Sequence, residues 1–384
     1  MARIGIDIRL IGKKRTGDEV VIFNLVKNLA KIDQTNEYFL FTDITDQEQL
    51  NIISTQIDIL NKNNFRIISL PAKNKFIWNL WTLPKYLRKS PVDVYHTQYI
   101  TPWFVPKKVK IVTIVHDISF NFFPQFIKFS DLFFLKALIP ISLRRSNKIV
   151  GVSQFTRDEI IKFYNINPEK VDYIYNAVGE EFLSQPAGEE IFEEKIAEVR
   201  KKYDLPEIFI LYMGTLQPRK NIPQLVEAYA ATKNKLGGIK LVICGNRQAY
   251  NFDKKIDETV AKNNLSEEVF FPGYIDEKDK RFVFAAAQAF IFPSLYEGFG
   301  IPVLEAMSQK VPVLASDIPS LKEIAQDSAL YFDTASIADF SQKLYDICVN
   351  NNLRAELIQS GMARISFFSW KNSAQKMLAI YRKL

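Results

Sequence analysis

Apolar residues fall in short runs along this chain, and the runs form two series. The first occupies positions 3–10, 38–41, 65–70, 92–96, 111–116, 148–152 and 171–175. The second occupies 208–213, 240–244, 269–271, 289–292, 311–315 and 329–332. Each run has the length of a buried strand. Between most of them apolar residues recur every three or four positions, as at Val21, Leu25, Val26 and Leu29. Strand alternating with helix predicts a mostly parallel sheet with helices on both faces. Two series predict two α/β domains in tandem, each a doubly wound, Rossmann-like sheet. Between them Glu180, Glu181, Gln185, Pro186, Gly188, Glu189 and Glu190 are polar or turn-forming, and an amphipathic stretch runs on to Lys202. The expected organisation is an N-terminal domain over 1–180, a linker with a short helix over 181–206, and a C-terminal domain over 207–366. The last segment, 367–384, is again amphipathic, through Trp370, Ala374, Met377, Leu378 and Tyr381.

Composition changes this picture little. With 384 residues, 47% hydrophobic and 24% charged, the chain is an ordinary globular protein, long for a single core. Its two cysteines, Cys244 and Cys348, supply neither a disulfide framework nor a metal cluster and fit a reducing compartment. Asp7 and Arg9 interrupt the first apolar stretch, which is therefore not a signal peptide. No apolar run approaches the ~18 residues needed to span a bilayer. A cytoplasmic protein is expected.

Charge changes the picture more. The net charge is +7, but residues 1–180 carry 25 basic against 17 acidic residues, and 62–148 hold 15 basic residues against Asp93, Asp117 and Asp131 alone. The first half is thus expected to meet something anionic. The same segment contains sixteen aromatic residues, among them Trp78, Trp81, Trp103, Phe120, Phe122 and Phe123. Much of this is core with a basic rim. The remainder suits an anionic membrane surface better than single-stranded nucleic acid.

Three stretches carry candidate chemistry. In Ser294–Met307 (SLYEGFGIPVLEAM), Gly298 and Gly300 give a tight turn after an apolar run, and Pro302 suits a helix start. That strand–turn–helix would leave amides near Phe299, Gly300 and Ile301 at a positive helix end, a place for phosphate. Glu297 and Glu305 flank it and suit hydroxyl groups, although an ordinary turn with two solvated glutamates has the same appearance. In Gly214–Asn221 (GTLQPRKN), Arg219 and Lys220 stand where a helix dipole disfavours cations, which makes sense if an anion binds between them. Lys220 is expected to be exposed there, so that its loss costs little stability. In the third stretch His116 and Asp117 end the run IVTIVHD, and His96 ends DVYH. These are the only two histidines, both at strand ends. No third ligand cluster accompanies them and no two aspartates are spaced by one residue, so no metal is expected. A Ser-His-Asp triad lacks its GxSxG elbow. His96 reads as structural.

Together the three stretches resemble family 4 of the glycosyltransferases, retaining enzymes of GT-B fold in which two Rossmann-like domains face each other across a cleft. The resemblance spans roughly 300 residues and is nearest to bacterial mannosyltransferase-like enzymes of surface polysaccharide synthesis. It implies a nucleotide-diphosphate sugar as donor, a glycan or lipid-linked acceptor, and no cofactor. It places Glu297 and His116 at the donor sugar, Glu305 at the ribose, and Arg219 with Lys220 at the diphosphate. Gly214, Gly245, Tyr274, Gly298, Phe299, Gly300 and Ile301 would line the nucleotide-sugar site, and Gly17 the loop between donor and acceptor. It further implies that the terminal segment 367–384 completes the first domain, and that the protein can lie peripherally on the inner membrane face. Two departures stand out. Thr215 replaces an arginine common in relatives. Asp18 and Glu19 follow Gly17 where relatives are glycine-rich, and both acids are expected to turn toward solvent or an acceptor hydroxyl. A GT-B sugar-nucleotide epimerase and a catalytically silent GT-B binding subunit remain as alternatives.

Overall fold

The computed structural model describes residues 1–13, 17–184 and 188–384. Lys14, Arg15 and Thr16, just before Gly17, and Gln185 and Pro186 of the expected linker, lie outside the described residues. The chain divides into two compact units, Met1–Asn176 with Ser369–Leu384, and Ala177–Phe368.

The first unit holds a parallel sheet of strands β1 (Arg3–Asp7), β2 (Glu37–Thr42), β3 (Phe65–Ser69), β4 (Val94–Gln98), β5 (Lys110–Val115), β6 (Lys148–Gly151) and β7 (Val171–Tyr173). Their order is β3-β2-β1-β4-β5-β6-β7. The central strands are apolar on both faces because helices cover both sides, and Ile4, Ile6, Val112 and Ile114 are fully buried. Strands are added on one side of β1 and then on the other, so β1 and β4 mark the point where the winding reverses.

The closing helix, Trp370–Arg382, belongs to this unit and packs along the helix Gly17–Ile32. It buries all five residues of its apolar stripe, Trp370, Ala374, Met377, Leu378 and Tyr381. The Ser373 hydroxyl donates to the carbonyl of Tyr175. The Tyr381 hydroxyl is hydrogen-bonded to Nδ1 of His96, a fully buried ring on β4. Burial pushes the His96 imidazole down to about 3, so it is neutral at ordinary pH and acts as a core group that ties the closing helix to the sheet.

The second unit repeats the plan with β8 (Phe209–Met213), β9 (Lys240–Cys244), β10 (Val269–Gly273), β11 (Ala289–Phe292), β12 (Val313–Ser316) and β13 (Leu330–Phe332), in the order β10-β9-β8-β11-β12-β13. All pairs are parallel. Its winding reverses between β8 and β11. Two helices, Glu180–Leu183 and Glu189–Lys202, precede β8. The second of these packs against the helix Glu277–Ala285.

Candidate functional site

All strands of the second sheet point the same way, so the segments leaving β8, β9, β10 and β11 emerge on one edge. Gly214 and Gly245 follow β8 and β9 there, and their backbones nearly touch. A Cβ on Gly245 would lie 2.4 Å from the Gly214 carbonyl oxygen, so no side chain fits. The Gly214 amide donates to the Cys244 carbonyl at 3.1 Å, and the Gly245 amide to that of Gly273 at 2.9 Å. Tyr274 follows β10, is exposed, and its hydroxyl donates to Glu277 at 3.2 Å.

The chemistry gathers at the reversal between β8 and β11, where doubly wound sheets bind ligands. After β8, Pro218–Lys220 form one 3-10 turn that carries Arg219 and Lys220 up to the helix Ile222–Thr232. After β11, Ser294–Gly300 turn into the helix Ile301–Ser308, with Pro302 in its first turn. Gly300 takes φ +100°, and a Cβ there would lie 2.7 Å from Leu321 Cδ2. Glycine is required on both counts. The Val303 amide donates to the Gly300 carbonyl at 3.0 Å, and the dipole at this helix start favours negative charge beside it. Phe299 is buried and meets the Phe368 ring edge-on at 5.7 Å.

Glu297 closes the arrangement. Its Oε1 accepts from Lys220 Nζ, and its Oε2 lies 3.6 Å from an Arg219 guanidinium nitrogen. Arg219 also donates to the Tyr296 carbonyl, and the Arg219 carbonyl accepts from the Leu295 amide at 2.9 Å. Side-chain exposure is 10% for Glu297, 12% for Lys220 and 16% for Arg219. Burial alone would raise the Glu297 carboxyl, but the charges of Lys220 and Arg219 outweigh it and hold the group below its ordinary value. One expectation is corrected here: Lys220 is not an exposed surface lysine. Both cations face this chain's own Glu297.

Glu305 lies on the second turn of the helix Ile301–Ser308, half-buried, and its charge reaches Lys280. Burial pulls the Lys280 ammonium down, and the carboxylates of Glu305 and Glu277 more than restore it. Lys280 and Glu277 pair at 2.7 Å. Lys280 was not foreseen from sequence because nothing in its helix marks it as different from a solvated surface lysine.

Gly17 and His116 belong to the first unit. Gly17 opens the helix Gly17–Ile32 and is exposed. His116 follows β5, and its Nε2 is 2.6 Å from Gln98 Oε1 on β4. An amide oxygen only accepts, so Nε2 carries the hydrogen and Nδ1 is left to face Asp18 Oδ1 at 3.7 Å. Asp117 accepts from the Ser119 amide at 3.0 Å and the Ser119 hydroxyl at 2.8 Å, and its own amide donates to Tyr99 at 3.2 Å. The expectation for the two acids after Gly17 is half corrected. Asp18 is open, with 43% side-chain exposure, whereas Glu19 is buried in the first turn of the helix. Among the described residues no group of three histidine, cysteine or acidic side chains is placed to hold a metal ion.

The sixteen aromatics of 62–148 divide between core and surface. Trp78, Tyr95 and Phe120 are buried, whereas Trp81, Phe129 and Phe133 are 69%, 84% and 63% exposed. No helix among the described residues is long and apolar enough to cross a membrane.

Two family models match this chain, Glycosyltransferase Family 4 over residues 15–182 and Glycosyl transferases group 1 over 194–364. It is 26% identical over 365 residues to the O-antigen chain mannosyltransferase B of Escherichia coli, covering 94% of each protein. It is 28% identical over 307 residues to the O-antigen chain mannosyltransferase RfbU of Salmonella typhimurium, covering 75% of this chain and 78% of the relative. Among solved structures, Anabaena Alr3699/HepE in complex with UDP and glucose superposes with a TM-score of 0.74 at 15% identity, over 100% of both chains.

Proposed function

The chain belongs to glycosyltransferase family 4 and has the GT-B fold, and on that footing we propose that it moves mannose, with retention, from a nucleotide-diphosphate donor to a glycan or lipid-linked acceptor. It is a glycosyltransferase; the sugar, the donor and the stereochemistry are the proposal. The observation that carries it is the Arg219–Lys220–Glu297 cluster at the reversal of the second sheet, beside the helix start at Gly300. Two cations and one carboxylate leave one net positive charge, next to amides that favour an anion. A donor diphosphate takes over contacts to Arg219 and Lys220, which releases Glu297 toward hydroxyls of the donor sugar. His116 is assigned to the same sugar and Glu305 to the ribose. Gly214, Gly245, Tyr274 and the turn Gly298–Ile301 supply backbone and wall, and Gly17 opens the acceptor-side loop.

In this reading the acceptor hydroxyl oxygen bonds to the anomeric carbon as that carbon's bond to phosphate breaks. The hydroxyl proton passes to the departing phosphate oxygen on the same face, so no separate base is needed. Arg219, Lys220 and the helix start stabilise the charge that develops on the diphosphate, and fixed charges and dipoles of this kind usually supply much of an enzyme's rate enhancement. No divalent metal takes part. The mannosyl assignment rests on the two O-antigen mannosyltransferases to which the chain is similar, and the nucleotide class on the family and on the UDP complex of HepE. The exposed aromatics Trp81, Phe129 and Phe133, in a segment rich in lysine and arginine, support a cytoplasmic protein that rests peripherally on an anionic membrane.

The test is incubation with nucleotide sugars, with and without a mannosyl acceptor, followed by NMR of the products. Nucleoside diphosphate released in step with acceptor, and a product keeping the donor's anomeric configuration, is the expected result. A new nucleotide sugar formed without acceptor would assign an epimerase, and no turnover with any donor a silent subunit.

A further inference from the structure

His116 is held from the neighbouring strand. In the parallel pair of β4 and β5, Gln98 stands opposite Ile114. His116 comes two residues after Ile114 and so falls on the same side of its strand, within reach of the Gln98 amide. The Gln98 oxygen lies 2.6 Å from His116 Nε2. Tyr99 follows in the left-handed region, at φ +54°, a conformation that a bulky side chain keeps only when its surroundings hold it there. The Tyr99 ring lies against the imidazole, with 5.5 Å between centres, and its hydroxyl accepts from the Asp117 amide at 3.2 Å. Gln98 and Tyr99, at the end of β4, thus grip His116 and Asp117, at the end of β5. The ring they hold is buried, with 8% side-chain exposure.

The second ring nitrogen shows on which side the hydrogen sits. Nδ1 faces Asp18 Oδ1 at 3.7 Å, too far for a direct hydrogen bond. With the Gln98 amide turned over, its NH2 would donate to Nε2 and the ring hydrogen would sit on Nδ1, facing a carboxylate. A charge-assisted bond of that kind closes to about 2.7–2.9 Å. The open gap at Nδ1 and the short contact at Nε2 fit the opposite arrangement, in which the Gln98 oxygen accepts from Nε2–H. Asp18 and Gln98 therefore draw the ring hydrogen toward opposite nitrogens, and Gln98 is the one within bonding distance.

We propose that Gln98 is a positioning residue, which keeps His116 in its Nε2–H form and so leaves Nδ1 as an acceptor for a substrate hydroxyl. The hydroxyl rests on the transferase reading, whereas the tautomer belongs to the chain alone. A ring free to exchange tautomers would offer a donor at Nδ1 in some molecules and an acceptor in others. Gln98 removes that ambiguity before substrate arrives, and the strained Tyr99 keeps the ring from turning away.

NMR of the full chain labelled with ¹⁵N-histidine tests it, because the chain has only two histidines and His96→Gln identifies the signals of His116. At pH 9 an imidazole is neutral, and its bare nitrogen resonates far from the one that carries hydrogen. In the wild type Nε2 is expected to carry the hydrogen and Nδ1 to be bare. Gln98→Met removes the acceptor at similar size and should shift the hydrogen toward Nδ1, where Asp18 draws it. Gln98→Glu offers an oxygen whichever way it turns and should keep the wild-type tautomer. Turnover of the full donor should fall about tenfold in Gln98→Met, the loss of one hydrogen bond, and recover in part in Gln98→Glu. Nucleoside diphosphate affinity should be unchanged in both. Hydrogen on Nδ1 in the wild type, different tautomers in wild type and Gln98→Glu, an unshifted tautomer in Gln98→Met, or undiminished turnover in that variant would overturn the proposal. A wild type that turns over no nucleotide sugar, yet carries its hydrogen on Nε2, refutes the transferase reading and leaves Gln98 as the residue that sets the ring.

Discussion

Replacing Lys220 by alanine should cost far more stability than removing a surface lysine. The side chain is 12% exposed and pairs with a Glu297 carboxylate that is itself 10% exposed. After the substitution the carboxylate keeps Arg219, at 3.6 Å, as its cation, and the Ser294 hydroxyl beside it. At an effective dielectric of about 20, charges at that distance attract by about 4–5 kcal/mol, so Glu297 is not wholly abandoned. The cost therefore falls at the low end of the range for breaking a buried pair, about 3 kcal/mol. For a unit of this size each kcal/mol moves the melting temperature by about 2–4 °C, so Lys220→Ala should melt about 6–12 °C lower at pH 8. In the wild type the Glu297 carboxyl is depressed, and its contribution is present above its unfolded value and lost as pH falls through the folded one. In the variant burial remains while a cation is gone, so the carboxyl rises and takes up a proton more readily. The gap to wild type should shrink between pH 8 and pH 5, and Lys220→Ala/Glu297→Gln should melt above Lys220→Ala at pH 8. Thermal unfolding followed by far-UV circular dichroism at both pH values reads all three. A variant that melts within 2 °C of wild type at pH 8 and shows no change in the gap would refute the buried pair.

Two further outcomes are expected. Transfer should survive exhaustive chelation, because Arg219 and Lys220 supply the positive charge at the diphosphate; a complete loss restored by a divalent ion would contradict this. Because burial holds the folded His96 at about 3, below its unfolded value near 6.5, its contribution to stability is intact above pH 6.5 and fades as pH falls toward 3. One proton amounts to about 1.4 kcal/mol per pH unit, so acidification from pH 6.5 to 5 should cost up to about 2 kcal/mol, a loss absent in His96→Gln. Equal pH slopes for the two proteins would show that His96 plays no part in acid sensitivity.

The strands were legible because a parallel strand covered on both faces reads as an unbroken apolar run, as in Phe209–Met213 and Ala289–Phe292. Gly245 and Gly300 were legible because close backbone approach and positive φ leave their mark as glycine. What could not be read was pairing across the sheet. Lys220 and Glu297 are 77 positions apart and meet only because β8 and β11 are neighbours, an order that alternation of strand and helix does not encode. The same holds for Gln98 and His116, brought together by β4 and β5. Glu19 was misplaced for a local reason: charge suggested solvent, but the first turn of its helix faces inward at that position.

The measurement closest to the central claim is calorimetry of nucleoside diphosphate binding to the wild type, Glu305→Ala and Glu297→Ala. If the second unit holds the donor with its ribose at Glu305, removing that acceptor costs roughly 1.5–3 kcal/mol, or about ten- to a hundredfold in affinity. Glu297→Ala removes the carboxylate that occupies Lys220 and Arg219, so its affinity for nucleoside diphosphate should be unchanged or tighter, with the damage confined to turnover of the full donor. Equal weakening in both variants, or weakening in Glu297→Ala alone, would contradict the assignment of the ribose and sugar ends and with it the proposed donor site.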